Sequence, residues 1–268
     1  MYPYEKAYDH VVTSTTEQHI TTITLDCAEN WNRISEQTID ELTAALQQAA
    51  WDQDVRAVVL TGTGPVSFGA GDLSVIRTKL AKNLVEARQV MAEIGAMVKL
   101  MYAMPKPIIG VAEGACMGGG ANLLLSCDIV IVGAGASFQE VFCDYALSPD
   151  TGGLWALQRL VGPMQAKVLA FTGEIVSAER AKDLGMVYDV AEAGTAMDAA
   201  RALAATIASK SPLGIGHAKM LSNRLHDYTL DTYFQAEADY LALGALSSDF
   251  KEVLAAGAAK RAPEFKGY

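Results

Sequence analysis

β-Branched residues crowd Ile20–Leu25 (Ile-Thr-Thr-Ile-Thr-Leu) and predict a strand, paired with a second over 11–15. After the polar stretch 26–33, Ser35 with Thr38 opens a helical pattern in which Ile39, Leu42, Leu46 and Ala49 recur at helical spacing. The run 55–60 (Val-Arg-Ala-Val-Val-Leu) reads as a strand of the buried, parallel kind, with Thr61-Gly62-Thr63-Gly64-Pro65 as the turn after it. A long amphipathic helix is predicted over 84–104, stopped by Pro105 and Pro107, and another buried strand over 107–111. Gly114 to Gly120 break the pattern, an apolar helix continues over 121–127, and 129–132 is a strand again. The last third changes character. Residues 155–160, 165–172, 177–184, 196–209 and a run from 230 to 260 are all helical by period. Strands alternating with helices, then mostly helices, describe an α/β core over 1–195 and a helical C-terminal region over 196–268. The alanine-rich 196–208 suggests close helix packing.

Composition narrows the function classes. With 268 residues, 51% of them hydrophobic and 19% charged, the chain can bury an ordinary core and is not a disordered type. Asn122 and Asp128 interrupt the best apolar run, around 123–132, well short of a membrane span. Segment 1–20 mixes Glu5, Lys6, Asp9 and His10 with polar residues and lacks the apolar core of a signal peptide, so a soluble, cytoplasmic protein is expected. A formal net charge of −10 repels phosphate backbones, which disfavours nucleic acid as a partner. Cys27, Cys116, Cys127 and Cys143 show no Cys-x-x-Cys spacing and predict reduced thiols. The histidines, His10, His19, His217 and His226, form no His-x-x-x-His pair, so no metal site is expected.

Three segments could carry chemistry. Glu113-Gly114-Ala115-Cys116-Met117-Gly118-Gly119-Gly120-Ala121-Asn122 follows a strand and opens a helix. Its consecutive glycines let backbone approach a ligand and leave free N–H groups, which bind an anion or a developing oxyanion. No Gly-Lys-Ser/Thr follows, so it is not a phosphate loop of the Walker type, and it lacks the Gly-x-Gly-x-x-Gly dinucleotide spacing. A second glycine-bearing loop, Ser67-Phe68-Gly69-Ala70-Gly71-Asp72-Leu73, follows the strand at 55–60, and two such loops can make a two-donor oxyanion hole. In the third, Ala146-Leu147-Ser148-Pro149-Asp150-Thr151-Gly152-Gly153-Leu154-Trp155, Pro and Gly fix a turn that sets the Asp150 carboxylate at a defined point. Asp150 could equally be the N-cap of the next helix.

Together these segments resemble the crotonase (enoyl-CoA hydratase/isomerase) superfamily. The resemblance spans nearly the whole chain. It includes Lys106-Pro107-Ile108-Ile109-Gly110-Val111, Ser126-Cys127-Asp128-Ile129, Arg159-Leu160-Val161-Gly162, Thr172-Gly173-Glu174 and Ala181-Lys182-Asp183-Leu184-Gly185-Met186-Val187. It implies an α/β fold, a spiral of ββα units with a C-terminal helical oligomerisation region, assembled as a homotrimer or hexamer. It further implies an acyl-CoA thioester as substrate, with coenzyme A entering as part of that substrate and no separate cofactor. The oxyanion hole falls on the N–H groups of Gly71 and Gly119.

Hydratases of the superfamily carry two glutamates, and the matching positions here are Asn122 and Phe142. Those residues and Ser148-Pro149-Asp150-Thr151-Gly152-Gly153-Leu154-Trp155 look instead like the branch that isomerises 1,2-epoxyphenylacetyl-CoA and shifts double bonds. In that branch the aspartate matching Asp150 is the acid/base, and Asn122 orients a substrate group or water. Phe142, Trp31 and Asp144 are the expected pocket residues, with Glu140 beside them as a surface group or a second acid. Asp72 is expected to stabilise its loop. Lys99 and Lys106 are expected to be solvated. Two positions depart from the family pattern: a basic residue that contacts the CoA phosphate falls on Cys27, and an aromatic that covers the CoA site falls on Gly257. Acyl-CoA isomerisation is the leading expectation. The alternatives are a hydratase, an acyl-CoA or β-diketone hydrolase, or an inactive CoA-binding homologue.

Overall fold

Val12–Glu17 (β1) and Ile20–Leu25 (β2) form an antiparallel hairpin. Its two-residue turn places Gln18 and His19 at φ 50° and 67°, the left-handed pair whose twist matches that of the strands. In the computed structural model, which describes residues 8–72 and 75–268, this hairpin is the edge of a six-stranded sheet. Helix α1 (Glu36–Trp51) follows, capped by the Ser35 hydroxyl, which accepts from Thr38 N, and burying Ile39, Leu42, Leu46 and Ala49. Next come β3 (Ala57–Gly62), β4 (Val66–Phe68), a π-helical turn at Ile76–Leu80 and α2 (Leu84–Ala103). The chain continues with β5 (Ile108–Ala112), β6 (Ala115–Met117), α3 (Gly119–Leu125), β7 (Ile129–Gly133), β8 (Ser137–Gln139) and a 3₁₀ segment, Val141–Tyr145.

Helix α4 (Gly153–Thr172) joins the two helical stretches read separately from the sequence, with a kink where Gly162 turns to φ 79° ahead of Pro163. Then follow β9 (Ile175–Ser177), α5 (Ala178–Leu184), β10 (Asp189–Ala191), α6 (Ala196–Ala208), α7 (Pro212–Asn223), α8 (Leu230–Leu246) and α9 (Ser248–Ala258).

From β3 to β8 successive strands alternate between two sheets. The larger runs β1-β2-β3-β5-β7-β10, parallel from β2 onward, and the smaller runs β4-β6-β8-β9. Each pair β3/β4, β5/β6 and β7/β8 therefore lays one strand in each sheet before a helical segment returns the chain, which is the ββα spiral. The pleat sorts the core. Val58 and Leu60 of β3 pack into the main cluster with α1 and α2, while Ala57 and Val59 face Ala196, Ala200 and Ala204 of α6 on the opposite side. Methyl side chains at this i, i+4 spacing let α6 lie close on the sheet. Glu113 fixes its start, the carboxylate accepting from Gly194 N and Ala196 N at 2.8 Å each.

Helix α7 docks through a buried amine. Lys219 Nζ donates to Met101 O (2.8 Å), Lys106 O (2.9 Å) and the Asp128 carboxylate (2.7 Å), so all its protons find acceptors. Lys106, expected in solvent, instead spends its ammonium on the carbonyls of Asp52 and Val55, tying α1's end to the approach of β5. Among the described residues no helix is long and apolar enough to cross a membrane.

Candidate active site

Two backbone loops converge at the end of the smaller sheet. After β4, Ile34 N donates to Ala70 O and Asp72 N donates to Ile34 O, forming one parallel bridge between Ile34 and Gly71. Backbone groups alternate sides along an extended strand, so the Gly71 N–H points away from Ile34. After β6, Gly118 takes φ 51° and ψ −129°, a conformation open to glycine and strained for other residues. The chain then enters α3, where the Gly119 N–H takes no hydrogen bond among the described residues. Gly120 brings the two loops into contact, because a Cβ there would lie 2.3 Å from Gly69 O.

The third loop supplies the carboxylate. Thr151 (φ 52°) and Gly152 (φ 75°) are both left-handed, and Gly153 N donates to Asp150 O at 2.8 Å. Gly152, with no side-chain cap, is the N-cap of α4, so Asp150 is not the helix cap that its local sequence allowed. Its carboxylate accepts from the Thr151 hydroxyl at 2.9 Å and lies over Gly119, where a Cβ would come within 3.0 Å of Asp150 Oδ1. Burial raises the Asp150 pKa above the ordinary aspartate range, against the lowering effect of the Thr151 hydroxyl.

These pieces border a cavity of about 170 Å³. Gly71, Gly119, Asp150, Phe142 and Trp31 all line it, together with an apolar wall that includes Ile34, Ile39, Val90, Met91 and Ile94. Arg33, Tyr145, Leu147 and Thr151 also line it, and sequence periodicity had no means of placing them there. Arg33 stacks its guanidinium 5.0 Å from the centre of the Trp31 ring. Two carboxylates are among the lining residues, Asp150 and Asp72. Asn30 Nδ2 donates to Asp72 at 3.3 Å, and Asp72 N and O both bond the backbone, in keeping with a loop-stabilising part.

Two expected site residues stand elsewhere. Asn122 is fully buried and does not line the cavity; its Nδ2 donates to the Asp150 carbonyl at 3.0 Å, so it straps the third loop from below. Asp144 is exposed and is not among the lining residues. Asn32, near the first loop, is also structural: its Oδ1 accepts from Cys27 N, and its Nδ2 donates to Thr63 O and Val66 O. Glu140, only 6% exposed, lies behind the cavity wall formed by Val141 and Phe142. Its burial, with the Asp150 charge adding to it and the Asn122 amide opposing, pushes its pKa up to about 7. Burial likewise pushes the Cys116 and Cys127 thiols up, which keeps both inert as nucleophiles. Among the described residues no three His, Cys, Asp or Glu side chains gather as a metal site.

Such a site, with the half-buried Asp150 carboxylate beside two backbone N–H groups that have no partner among the described residues, at the wall of an apolar cavity, suits proton transfer next to a carbonyl. Comparison with known proteins agrees with the architecture. The enoyl-CoA hydratase/isomerase family model matches residues 15–268. A 1,2-epoxyphenylacetyl-CoA isomerase of Escherichia coli (strain K12) is 35% identical over 260 residues, 96% of this chain and 98% of that protein. A crotonyl-CoA hydratase of Syntrophomonas wolfei is 29% identical, covering 97% and 98% of the two chains. The crystal structure of an enoyl-CoA hydratase from Polaromonas sp. JS666 superimposes with a TM-score of 0.89 at 31% identity, over 95% of this chain and 99% of that one. With the ββα spiral, the glycine loops and this full-length similarity together, the chain belongs to the enoyl-CoA hydratase/isomerase family.

Proposed function

We propose that the protein is an acyl-CoA isomerase that uses Asp150 alone as acid and base. The observation that carries this reading is the Asp150 carboxylate itself, half-buried at the cavity wall and packed over Gly119, while Asn122 lies under the loop and Phe142 is apolar. Addition of water by a carboxylate pair would need ionisable groups at those last two positions. In the proposed reaction the thioester carbonyl sits between the N–H groups of Gly71 and Gly119. Asp150 removes a proton α or γ to that carbonyl, the charge moves onto the thioester oxygen, and the two donors stabilise it by roughly 3 kcal/mol each. Asp150 then returns the proton to another carbon of the acyl group. The apolar wall of Ile34, Ile39, Val90, Met91 and Ile94 favours an apolar chain or ring as that acyl group.

The test is a panel of 2-enoyl-, 3-enoyl- and epoxide-bearing aryl-acetyl-CoA thioesters, followed by mass spectrometry in heavy water. Double-bond or ring isomerisation with deuterium at the α or γ carbon is the expected outcome. Accumulation of a 3-hydroxyacyl-CoA as the main product would mean hydration instead, and thioester binding without any turnover would mean an inactive CoA-binding homologue.

We also propose that the chain assembles as a trimer or a dimer of trimers. Helix α8 buries none of its residues within the chain and exposes Leu230, Phe234, Leu241, Leu243 and Leu246. So much uncovered apolar surface on one helix marks an interface. Light scattering at micromolar concentration is expected to give a mass three or six times that of the chain, and a monomer near 28.5 kDa would refute the assembly.

A further inference from the structure

The Asp150 turn hangs on the Asn122 amide, and that amide is only half accounted for. Nδ2 donates to Asp150 O, but Oδ1 is buried with no hydrogen-bond partner among the described residues. The same is true of one oxygen of the neighbouring acid, Glu140 Oε2, and the Asn122 side chain is that acid's hydrogen-bonding neighbour. The amide has little freedom to turn away. Gly153 backs it so closely that a Cβ there would fall 2.2 Å from Asn122 Nδ2 and 2.5 Å from Oδ1. Two buried acceptors side by side leave both unsatisfied, whereas one added proton makes a donor and satisfies both.

We propose that Glu140 is held as a neutral carboxylic acid, its Oε2–H donating to Asn122 Oδ1, and that this bond fixes the amide that positions Asp150. Glu140 is thus a positioning residue for the base, and the proposal rests on the reading of Asp150 given above. The surroundings favour the neutral form. From the third loop the like charge of Asp150 adds to burial, while from α3 the uncharged Asn122 side chain opposes the two without reversing the balance. On its own 3₁₀ segment Asp144 is displaced toward Gly173, where a Cβ would lie 3.6 Å from Asp144 Oδ2. Among the described residues no cation acts on it, and its pKa, raised to about 7 mainly by burial, agrees with a proton retained at neutral pH or just below. Were Glu140 ionised, the orphan Asn122 Oδ1 would have no donor and Asp150 would face a second negative charge.

Glu140→Gln tests this, since glutamine is a neutral donor of the same shape that cannot ionise. The first readout is thermal melting from about pH 5 to 8, which needs no activity. Between the ordinary glutamate value of 4.5 and about 7, the folded wild type holds a proton that the unfolded chain has released. Wild-type stability therefore falls as pH rises through that window, and the variant escapes this loss. The Tm of the variant is expected to pull ahead of wild type by about 5 °C at pH 8, with the gap closing toward pH 5.

The second readout is the kcat and KM of isomerisation. Glu140→Gln is expected to stay within a few-fold of wild type at pH 6 and to lose less rate above pH 7. Glu140→Ala, with no donor, is expected to lose about tenfold in kcat at unchanged KM. A Tm gap that ignores pH would overturn the proposal, as would a glutamine variant as impaired as the alanine one. If wild type isomerises nothing, the assignment of function fails, and the melting curves still decide the state of Glu140.

Discussion

Asp150→Asn is expected to bind an acyl-CoA within a few-fold of wild type and to lose isomerisation by about 10²–10⁴-fold, the share usually carried by a positioned acid/base. Asparagine keeps the size of the side chain and can still bond the Thr151 hydroxyl, which now accepts or donates across the 2.9 Å contact. The turn itself is held at the Asp150 main-chain carbonyl, which accepts from Gly153 N and from the Asn122 side-chain Nδ2, so it survives the substitution. What disappears is basicity. Wild type has a further signature in its pH profile. The base must be ionised to act, and burial raises its pKa, so activity falls on the acid side at a pH above the ordinary aspartate range. Stopped reactions in heavy water should show the variant's substrate free of deuterium at both the α and γ carbons. If Asp150→Asn exchanges deuterium at the wild-type rate, another group is the base and the single-aspartate mechanism falls.

The large sheet and its helices were legible because long elements carry period. The run at 55–60 became β3, the apolar i, i+3, i+4 series became α1, and the alanines at 196, 200 and 204 pack on the sheet. The smaller sheet was not legible. β4, β6, β8 and β9 are three residues long, too short for alternation to register, and β6 lies inside the glycine segment that reads as a break. Helix α7 was missed for a related reason: Pro212, Gly214 and Gly216 lower its helical signal, yet Gly216 is needed where a Cβ would come within 3.1 Å of Pro105.

In the site, the resemblance located Asp150, Gly71, Gly119, Phe142 and Trp31 at one cavity. It could not say which way Asn122 faces, because that depends on Gly153 of another element closing over the amide. Nor could it tell that Asp144 is exposed while Glu140, four residues earlier, is buried, since both sit in a short segment with no periodic face.

The two glycines of the proposed oxyanion hole should respond very differently to a side chain. At Gly119 a Cβ would press on Asp150 Oδ1 and Thr151 Oγ1 at 3.0 Å each, with Ile34 Cδ1 at 3.7 Å. Gly119→Val adds two further methyl groups to that contact, pushing the base aside and tilting the N–H that stabilises the enolate. Removing one such donor typically costs about 10²–10³-fold in turnover, and the displaced carboxylate adds to the loss. At Gly71 a Cβ would meet, among the described residues, only Ile76 Cδ1, at 3.9 Å, so Gly71→Ala leaves the backbone in place and its N–H still directed away from Ile34. Its turnover is expected to fall by less than about tenfold, the scale of a small loss in hydrogen-bond alignment. Circular dichroism and melting separate misfolding from a local effect, and an enolate-mimicking thioester should bind the valine variant far more weakly than a ground-state acyl-CoA does. A Gly119→Val chain that melts like wild type and keeps its full turnover would remove Gly119 from the oxyanion hole. Equal damage at both glycines would point to general distortion of the convergent loops, because only Gly119 lies against the base.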